Sequence, residues 1–143
     1  MPTFRHGKGA AFKLDNSSGV LTDLSNVLNE IGFPREVETG ETTSFGQNSK
    51  TYIVGLSDST FSLSGTWDAT VDTTINGAIA ALQTGTQASL SFEYGPEGTT
   101  SGRKKYSGEC IITSYEVSSP VGDVVTFSLE AQNTGDVTVG TWA

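Results

Sequence analysis

Apolar and polar residues alternate along residues 56–68, LSDSTFSLSGTWD. Phe61, Leu63 and Trp67 fall on one face of this segment. The other face carries small polar or acidic residues: Ser62, Ser64, Thr66 and Asp68. A period of two is typical of a strand with one buried face. Residues 87–94 repeat the pattern, so the sequence predicts strands at 51–68 and 87–94, one on each side of the segment between them.

That intervening segment has a helical pattern. Its apolar residues follow the i, i+3, i+4, i+7 spacing of a single stripe: Ile75, Ala78, Ile79 and Leu82. Asp72 or Thr73 can cap the start, and Gly85 lies just beyond the end. The sequence therefore predicts a helix over 73–83.

The rest of the chain indicates short strands and turns within one domain, residues 1–143. Further strands are predicted at 9–15, 33–39, 106–118 and 123–133. Residues 22–31 have helical spacing, so we favour a short helix or an irregular turn there over a strand. Three segments lie outside this pattern: an N-terminal arm at 1–9, a long polar loop at 40–50, and a C-terminal strand or arm at 134–143. The predicted fold class is mainly β, an antiparallel β-sandwich or partial barrel with one packed α-helix.

Charge narrows the possible partners. The formal net charge is −8, so the chain lacks the basic surface with which proteins neutralise nucleic-acid phosphates. The exceptions are two basic segments, one near the N-terminus and one at 103–105. A solvated hairpin loop is the simpler interpretation of the second segment. The alternative is that both segments contact an acidic patch on another subunit, which gives the candidate charge contacts Arg5, Lys8, Arg103, Lys104 and Lys105.

The residue inventory predicts no enzyme and no cofactor. A single cysteine, Cys110, excludes an internal disulfide and a cysteine-rich metal site. The one histidine, His6, has no nucleophile motif to serve. Glu36 and Glu38 resemble a carboxylate pair, but acids at i and i+2 usually mark a solvated strand face. No apolar run is long enough to span a bilayer, and no signal peptide is expected.

Two function classes fit this pattern. The faces rich in serine and threonine carry little charge, which protects the edges of a monomeric sheet poorly and suits a subunit whose edges neighbours complete. The alternative is a β-sandwich binding module, such as a capsid decoration or carbohydrate-binding domain, which needs aromatic residues on an exposed face.

Several stretches resemble the major tail tube protein of long-tailed bacteriophages. They are FRHGKGAAFKLD at the start, YIVGLSDSTFSLSGTWD, the helix ending AIAALQTG, the turn YGPEG, and GDVVTFSLEAQNTGDVTVGTW near the end. The resemblance follows the same order over nearly the whole chain. It implies a virion tail protein, made in the host bacterial cytoplasm, whose hexameric rings stack into a hollow tube.

The resemblance also implies partners and sites. The inner sheets of six copies would join into one barrel, and DNA would pass through it without specific binding. The expected partners are further copies of the chain, a tape-measure protein, and tail terminator and tail-tip proteins. The polar loop would reach a neighbouring subunit through the self-assembly residues Thr42, Thr43, Ser44, Phe45, Gly46, Gln47 and Asn48. Candidate lumen-facing residues, taken from the polar faces of the strands, are Glu109, Glu130, Ser128 and Gln132.

Overall fold

The computed structural model describes residues 4–143. A short 3-10 turn at Gly7–Gly9 precedes eight strands and one helix, α1, in the described residues. The strands are β1 (Ala11–Asp15), β2 (Leu21–Asp23), β3 (Leu28–Gly32), β4 (Arg35–Glu41), β5 (Tyr52–Thr66), β6 (Leu90–Gly95), β7 (Lys104–Ser118) and β8 (Thr126–Thr141); α1 spans Ala69–Thr84. Residues 1–3 of the predicted N-terminal arm lie outside the described residues.

All strand pairs are antiparallel, and the sheet runs in the order β2-β1-β6-β7-β8-β5-β3. The strand β4 pairs with the first half of β5, beyond the part of β5 that pairs with β8 and β3. The sheet curls into a half-barrel, and α1 covers one of its faces. This confirms the predicted fold class in its partial-barrel form.

One hydrophobic core lies between the sheet and α1. Alternate residues of the strands enter it, as the period-two pattern predicts. The helix contributes Ile75 and Ala78, both fully buried, and Ile79 and Leu82 pack at the margin. The strand residues of the core are Phe12, Leu14, Phe61, Leu63, Leu90, Phe92, Cys110, Phe127, Leu129 and Ala131.

The helix is longer at its start than the sequence predicts. Asp68, rather than Asp72 or Thr73, is its N-cap, and its side chain accepts hydrogen bonds from the amides of Thr70 and Val71. Gly85 ends the helix in the left-handed conformation with φ 79°, as its position predicts.

The expectation for residues 22–31 is wrong. This segment ends β2, turns, and forms β3 instead of a helix. Asp23 accepts hydrogen bonds from the amide and hydroxyl of Ser25, which bends the chain and places Leu24 in the core. Pairing with β1 and β5 then supplies hydrogen bonds that a helix too short to be stable alone could not match.

Three other boundaries differ from the expectation. Gly40 and Glu41 belong to β4, so the polar loop is shorter than 40–50 and joins the two strands of a hairpin. Residues 134–141 continue β8 without a break in the strand, instead of adding a separate strand. Lys104 and Lys105 begin β7, so only Arg103 of the basic triplet lies in the loop.

Candidate assembly surfaces

The hairpin arm, residues 35–59, extends beyond the core. In this arm, β4 pairs with residues 52–59 of β5. Every residue from 51 to 58 is exposed. Val54 and Leu56 are each 77% exposed, and Ile53, on the face opposite Val54, is 61% exposed. A two-stranded ribbon with apolar side chains on both faces is marginal alone in water, and exposed apolar area of this kind usually marks an interaction site.

The tip of the arm, residues 42–51, contains all of the self-assembly residues expected from the sequence. Thr42 donates its amide to the carbonyl of Thr51 at 2.8 Å, which closes the tip at its base. Gln47 accepts from the amide of Ser44 at 2.7 Å, and Gly46 has φ 87°. The turn therefore presents Phe45 to solvent with its ring fully exposed. The sequence pattern predicted the tip and strands on both sides of it, at 33–39 and 51–68, but not that the apolar side chains of these strands lie uncovered.

The polar face is the sheet face opposite α1, and it contains all four candidate lumen residues. Glu130 and Ser128 are exposed on β8, and they lie opposite Ser62 and Ser64 of β5. Rows of serine, threonine and acidic side chains cross the strands here, with no lysine or arginine from β5 or β8 among them.

Two of the four candidates have intramolecular partners. Glu109 accepts hydrogen bonds from the hydroxyls of Ser89, at 2.8 Å, and Ser91. Gln132 donates to Oδ1 of Asp58 at 2.5 Å and to the carbonyl of Ser59 at 3.1 Å. The side chains of Glu130 and Ser128 are consequently the freest of the set.

Asn133 and Ser59 fix the base of the hairpin arm. The two side chains are buried, and Nδ2 of Asn133 donates to the hydroxyl of Ser59 at 2.7 Å. The pairing of β5 with β8 ends at Thr60 and Gln132, directly beside this contact. The sheet therefore forks here, one branch being the arm and the other the second half of β8. The sequence pattern does not indicate this contact, because Asn133 continues an alternating strand whose other inward residues are apolar.

The structure brings the five basic candidates together at one end of the sheet. Arg5 Nε lies 2.8 Å from Oε1 of Glu97, and Arg103 donates to the carbonyl of the same residue at 2.7 Å. The hydrogen bond from Arg5 is the main reason that the pKa of Glu97 lies below its usual range, and the amide of Lys104 adds to the effect. Within residues 4–143, neither Lys8 nor Lys104 forms an ion pair through its side chain, and both are exposed.

Trp142 is a structural residue that the sequence pattern did not reveal. It is buried, and the ammonium groups of Lys13 and Lys105 lie 5.3 and 5.1 Å from the centre of its ring. Lys105 also forms a 2.9 Å ion pair with Glu93. The contacts pin the chain end to the sheet and leave Lys105 committed inside its own subunit.

The described residues contain no arrangement suited to catalysis. His6 is exposed and accepts a hydrogen bond from the amide of Lys8 at 3.1 Å. Cys110 is fully buried, and burial raises the pKa of its thiol, which keeps the sulfur protonated. No group of three His, Cys, Asp or Glu side chains within residues 4–143 is placed to hold a metal ion. No helix of this part of the chain is both long and apolar enough to cross a membrane.

The aromatic residues do not form a sugar platform. Trp67 packs against the core, and Trp142 lies between two lysines. A half-barrel with an uncovered apolar arm and a polar face is the kind of architecture that structural subunits use. The sequence agrees, because residues 15–139 match the model of a family described as phage tail tube protein. The chain belongs to that family, and it is a structural, non-enzymatic component of the virion tail.

Solved structures share the fold at low sequence identity. A chain of the virion of a native gene transfer agent particle matches with 16% identity and a TM-score of 0.74, over 96% of this chain and 100% of that one. A chain of the SPP1 tail tube matches with 14% identity and a TM-score of 0.69, over 95% of this chain and 78% of that one. The baseplate of the anti-feeding prophage contains a match with 10% identity and a TM-score of 0.74, over 99% and 98%. Among curated proteins, none matches the sequence.

Proposed function

We propose that six copies of the chain form a ring, that rings stack into a hollow tube, and that the tube conducts DNA. The observation that carries this proposal is the hairpin arm, whose apolar residues Ile53, Val54 and Leu56 have no cover in one subunit. Burying them against another copy removes apolar area from water, which drives association. The tail of an empty gene transfer agent particle, a structural neighbour at 17% identity with a TM-score of 0.75, has C6 symmetry and supports the ring of six.

The arm is proposed to be the self-assembly element, with Phe45 at its tip as the anchor. The fork at Ser59 and Asn133 supports this role, because it holds the base of the arm rigidly while leaving the strands beyond it uncovered. A fixed base lowers the entropy that the arm loses on binding.

The polar face is proposed to line the lumen. If each copy lends four strands to a continuous inner barrel, twenty-four strands spaced about 4.8 Å apart give a backbone diameter of roughly 37 Å before tilt. That width admits duplex DNA between the side chains. A wall of serine, threonine and the exposed Glu130 offers the phosphates no positive charge from β5 or β8 to bind, which suits passage.

The proposed partners extend beyond further copies of the chain. The structural neighbours come from assemblies with a sheath, a baseplate and a terminator. We extend this to a tail terminator and tail-tip proteins at the tube ends and to a tape-measure protein inside it. Of the five basic residues expected as contacts between subunits, Lys8 and Lys104 are the ones proposed for that role, because the side chains of Arg5, Arg103 and Lys105 have partners within their own subunit.

Electron microscopy of the purified chain tests the proposal. Wild-type protein should form rings or tubes of uniform width. Deletion of residues 42–48, with a short glycine turn in their place, should leave a folded subunit that does not polymerise. The matched control is Gln83→Ala at an exposed position of α1, outside the hairpin arm, which should still assemble. Normal tubes from the deleted chain would contradict the role of the arm, and a wild-type chain that forms no regular assembly would contradict the tube.

A further inference from the structure

The apolar residues of β5 change their alternation along the strand. In the half that enters the core they are odd-numbered, as Phe61 and Leu63 are. In the half that belongs to the hairpin arm, large apolar side chains stand at three even-numbered positions: Tyr52, Val54 and Leu56. Since the side chains of a regular strand point to alternate sides, an uninterrupted β5 would place all three on the side opposite the core. That side of the arm continues the polar face.

A β-bulge interrupts the pairing of β4 with β5. Val37 lies opposite Ser57, and Thr39 lies opposite Val54. Two residues of β5, at 55–56, therefore stand against a single residue of β4. Because a shift of one residue turns every later side chain to the other face, the bulge reverses the alternation of β5 in the outer part of the arm.

The bulge gives the hairpin arm two unlike sides. Paired residues of antiparallel strands point to the same side, so each residue is assigned by its partner. The core side continues the face that α1 covers, and its exposed apolar residues are Val37, Tyr52 and Val54. Its charged residues, Arg35 and Glu41, stand at the two ends of β4. The polar side combines the apolar residues Ile53 and Leu56 with three acids: Glu36, Glu38 and Asp58.

The distribution of charge decides which side suits a close contact. Covering the polar side would remove three carboxylates from water, which is costly without basic partners. The core side has apolar side chains at its centre and charge only at its ends, as an interface core with a polar rim has. Without the bulge, Tyr52 and Val54 would lie among the acids, and only Ile53 would replace them on the core side.

We propose that the bulge is a facing switch, which turns Tyr52 and Val54 to the core side of the arm and makes that side the one covered most closely on assembly. The inference rests on the proposed function, in which a second copy of the chain covers the arm. Ile53 and Leu56 then flank the contact from the polar side.

Gly55 holds the bulge in place. A Cβ at this position would lie 3.2 Å from both the Cβ and the carbonyl oxygen of Glu38, which is tighter than most Cβ contacts. A β-branched residue at position 55 therefore favours regular pairing, in which it would stand opposite Thr39. Gly40 fits the bulged register as well, because Ile53 lies across it: a Cβ added at Gly40 would be 3.5 Å from Cγ1 of Ile53.

Two changes at one position separate the facing from the bulge itself. Gly55→Val should shift the outer arm to regular pairing and turn Tyr52 and Val54 to the polar side, so the yield of pelleted tubes should fall by about tenfold or more. Deletion of Gly55 also removes the bulge, but Val54 then keeps Thr39 as its partner and stays on the core side, so tubes should persist. NMR of labelled protein measures the register, from the contact of Val54 with either Thr39 or Gly40.

A matched pair of substitutions tests the covered side directly. Val54 and Leu56 are equally exposed but lie on opposite sides of the arm. Val54→Glu places a charge in the closest contact and should lower the yield of tubes by about tenfold or more. Leu56→Glu adds one acid to the side that already holds three, and should lower the yield less. All four variants change exposed residues outside the core, so each should melt as the wild type does.

Tubes of Gly55→Val as abundant as those of the wild type would overturn the facing switch. An unchanged contact of Val54 with Thr39 in that variant would do the same, because the glycine would then not fix the bulge. Loss of tubes on deletion of Gly55 would show that the bend matters and the facing does not. A loss from Leu56→Glu as large as that from Val54→Glu would remove the preference for the core side. A wild-type chain without tubes counts against the proposed function itself, so the two failures are distinguishable.

Discussion

The hydroxyl of Tyr115 donates a 2.6 Å hydrogen bond to Oδ1 of Asp72, joining β7 to the first half of α1. Asp72 also accepts from Nδ2 of Asn76, one turn along the helix, at 2.9 Å. Burial first, and then the hydrogen bond to the Asp72 carboxylate, raise the pKa of Tyr115. The neutral hydroxyl therefore remains a donor across the physiological range, and the contact holds the helix in one position along the sheet.

Replacing the donor should lower stability. Tyr115→Phe keeps the ring against Phe127 but removes the hydroxyl, and we expect a loss of about 1–2 kcal/mol in the free energy of unfolding. Chemical denaturation of the subunit measures it. In a double-mutant cycle, Asp72→Ala should cost much less in the Tyr115→Phe background than in the wild type. Additive losses would show that the two side chains do not interact energetically.

Removing apolar volume from the sheet-facing side of α1 should lower the free energy of unfolding more than Tyr115→Phe does. Ile75 is fully buried among core residues of the sheet, and Ile75→Ala should lower the free energy of unfolding by about 2–5 kcal/mol, because a cavity replaces its side chain. Ala80→Ser, at an exposed position of the same helix, is the control and should change the melting temperature little. Equal effects at both positions would mean that the helix does not bury this face.

The sequence predicted these faces because burial dominates strand and helix patterns. Phe61 and Leu63 enter the core and Ser62 and Ser64 leave it, as alternation requires. The hairpin arm breaks the rule, because Ile53, Val54 and Leu56 have no cover within the subunit. The pattern of one chain does not tell whether an apolar residue is buried within that chain or against another molecule. The sequence therefore predicted the strands of the arm and its polar tip, but not that these apolar residues lie uncovered.

Long-range contacts were equally hidden. The contact between Ser59 and Asn133 and the position of Trp142 between Lys13 and Lys105 join residues far apart in the chain. The helical spacing at 22–31 misled for a related reason, since pairing with β1 and β5 overrode the local preference.

Gly65 is predicted to be required for the docking of β3. A Cβ at Gly65 would lie 2.0 Å from the carbonyl oxygen of Val27, which also accepts the amide of Thr66 at 3.0 Å. Because backbone atoms cannot move aside cheaply, Gly65→Ala should cost about 3 kcal/mol. Gly140→Ala in β8 is the control, as nothing lies within 4 Å of its added Cβ. Thermal melts compare the two, and a Gly65→Ala protein as stable as the control would contradict the close approach.

Stability should fall at alkaline pH through Cys110. Its pKa is raised by burial and then by the nearby carboxylates of Glu109 and Asp15, whereas an unfolded thiol titrates near 8.5. The protonated thiol contributes its full stabilisation below the pKa that it has in the unfolded chain. This contribution is lost as pH rises towards the pKa of the thiol in the folded protein. Above about pH 9 the slope should approach 1.4 kcal/mol per pH unit, measured by urea denaturation at pH 8 and 10. Cys110→Ala should be less stable than the wild type at pH 8, but its free energy of unfolding should change less between pH 8 and pH 10. A change as large as that of the wild type would exclude the thiol as its source.

The proposed lumen is best tested on β8 beside Glu130, the more exposed of the two candidate acids. Ser128→Lys places a positive charge next to Glu130 on the polar face, and Gln83→Lys places the same charge on the exposed side of α1. If the polar face lines the channel, tubes of the Ser128→Lys protein should retain duplex DNA at low salt and release it as salt rises, because the bound phosphates exchange with counterions.

Tubes of the Gln83→Lys protein should not hold DNA inside, although their outer surface should bind an anionic resin more strongly. Cryo-electron microscopy locates the DNA. Retention of DNA outside the Ser128→Lys tubes, with an empty channel, would place the polar face on the exterior.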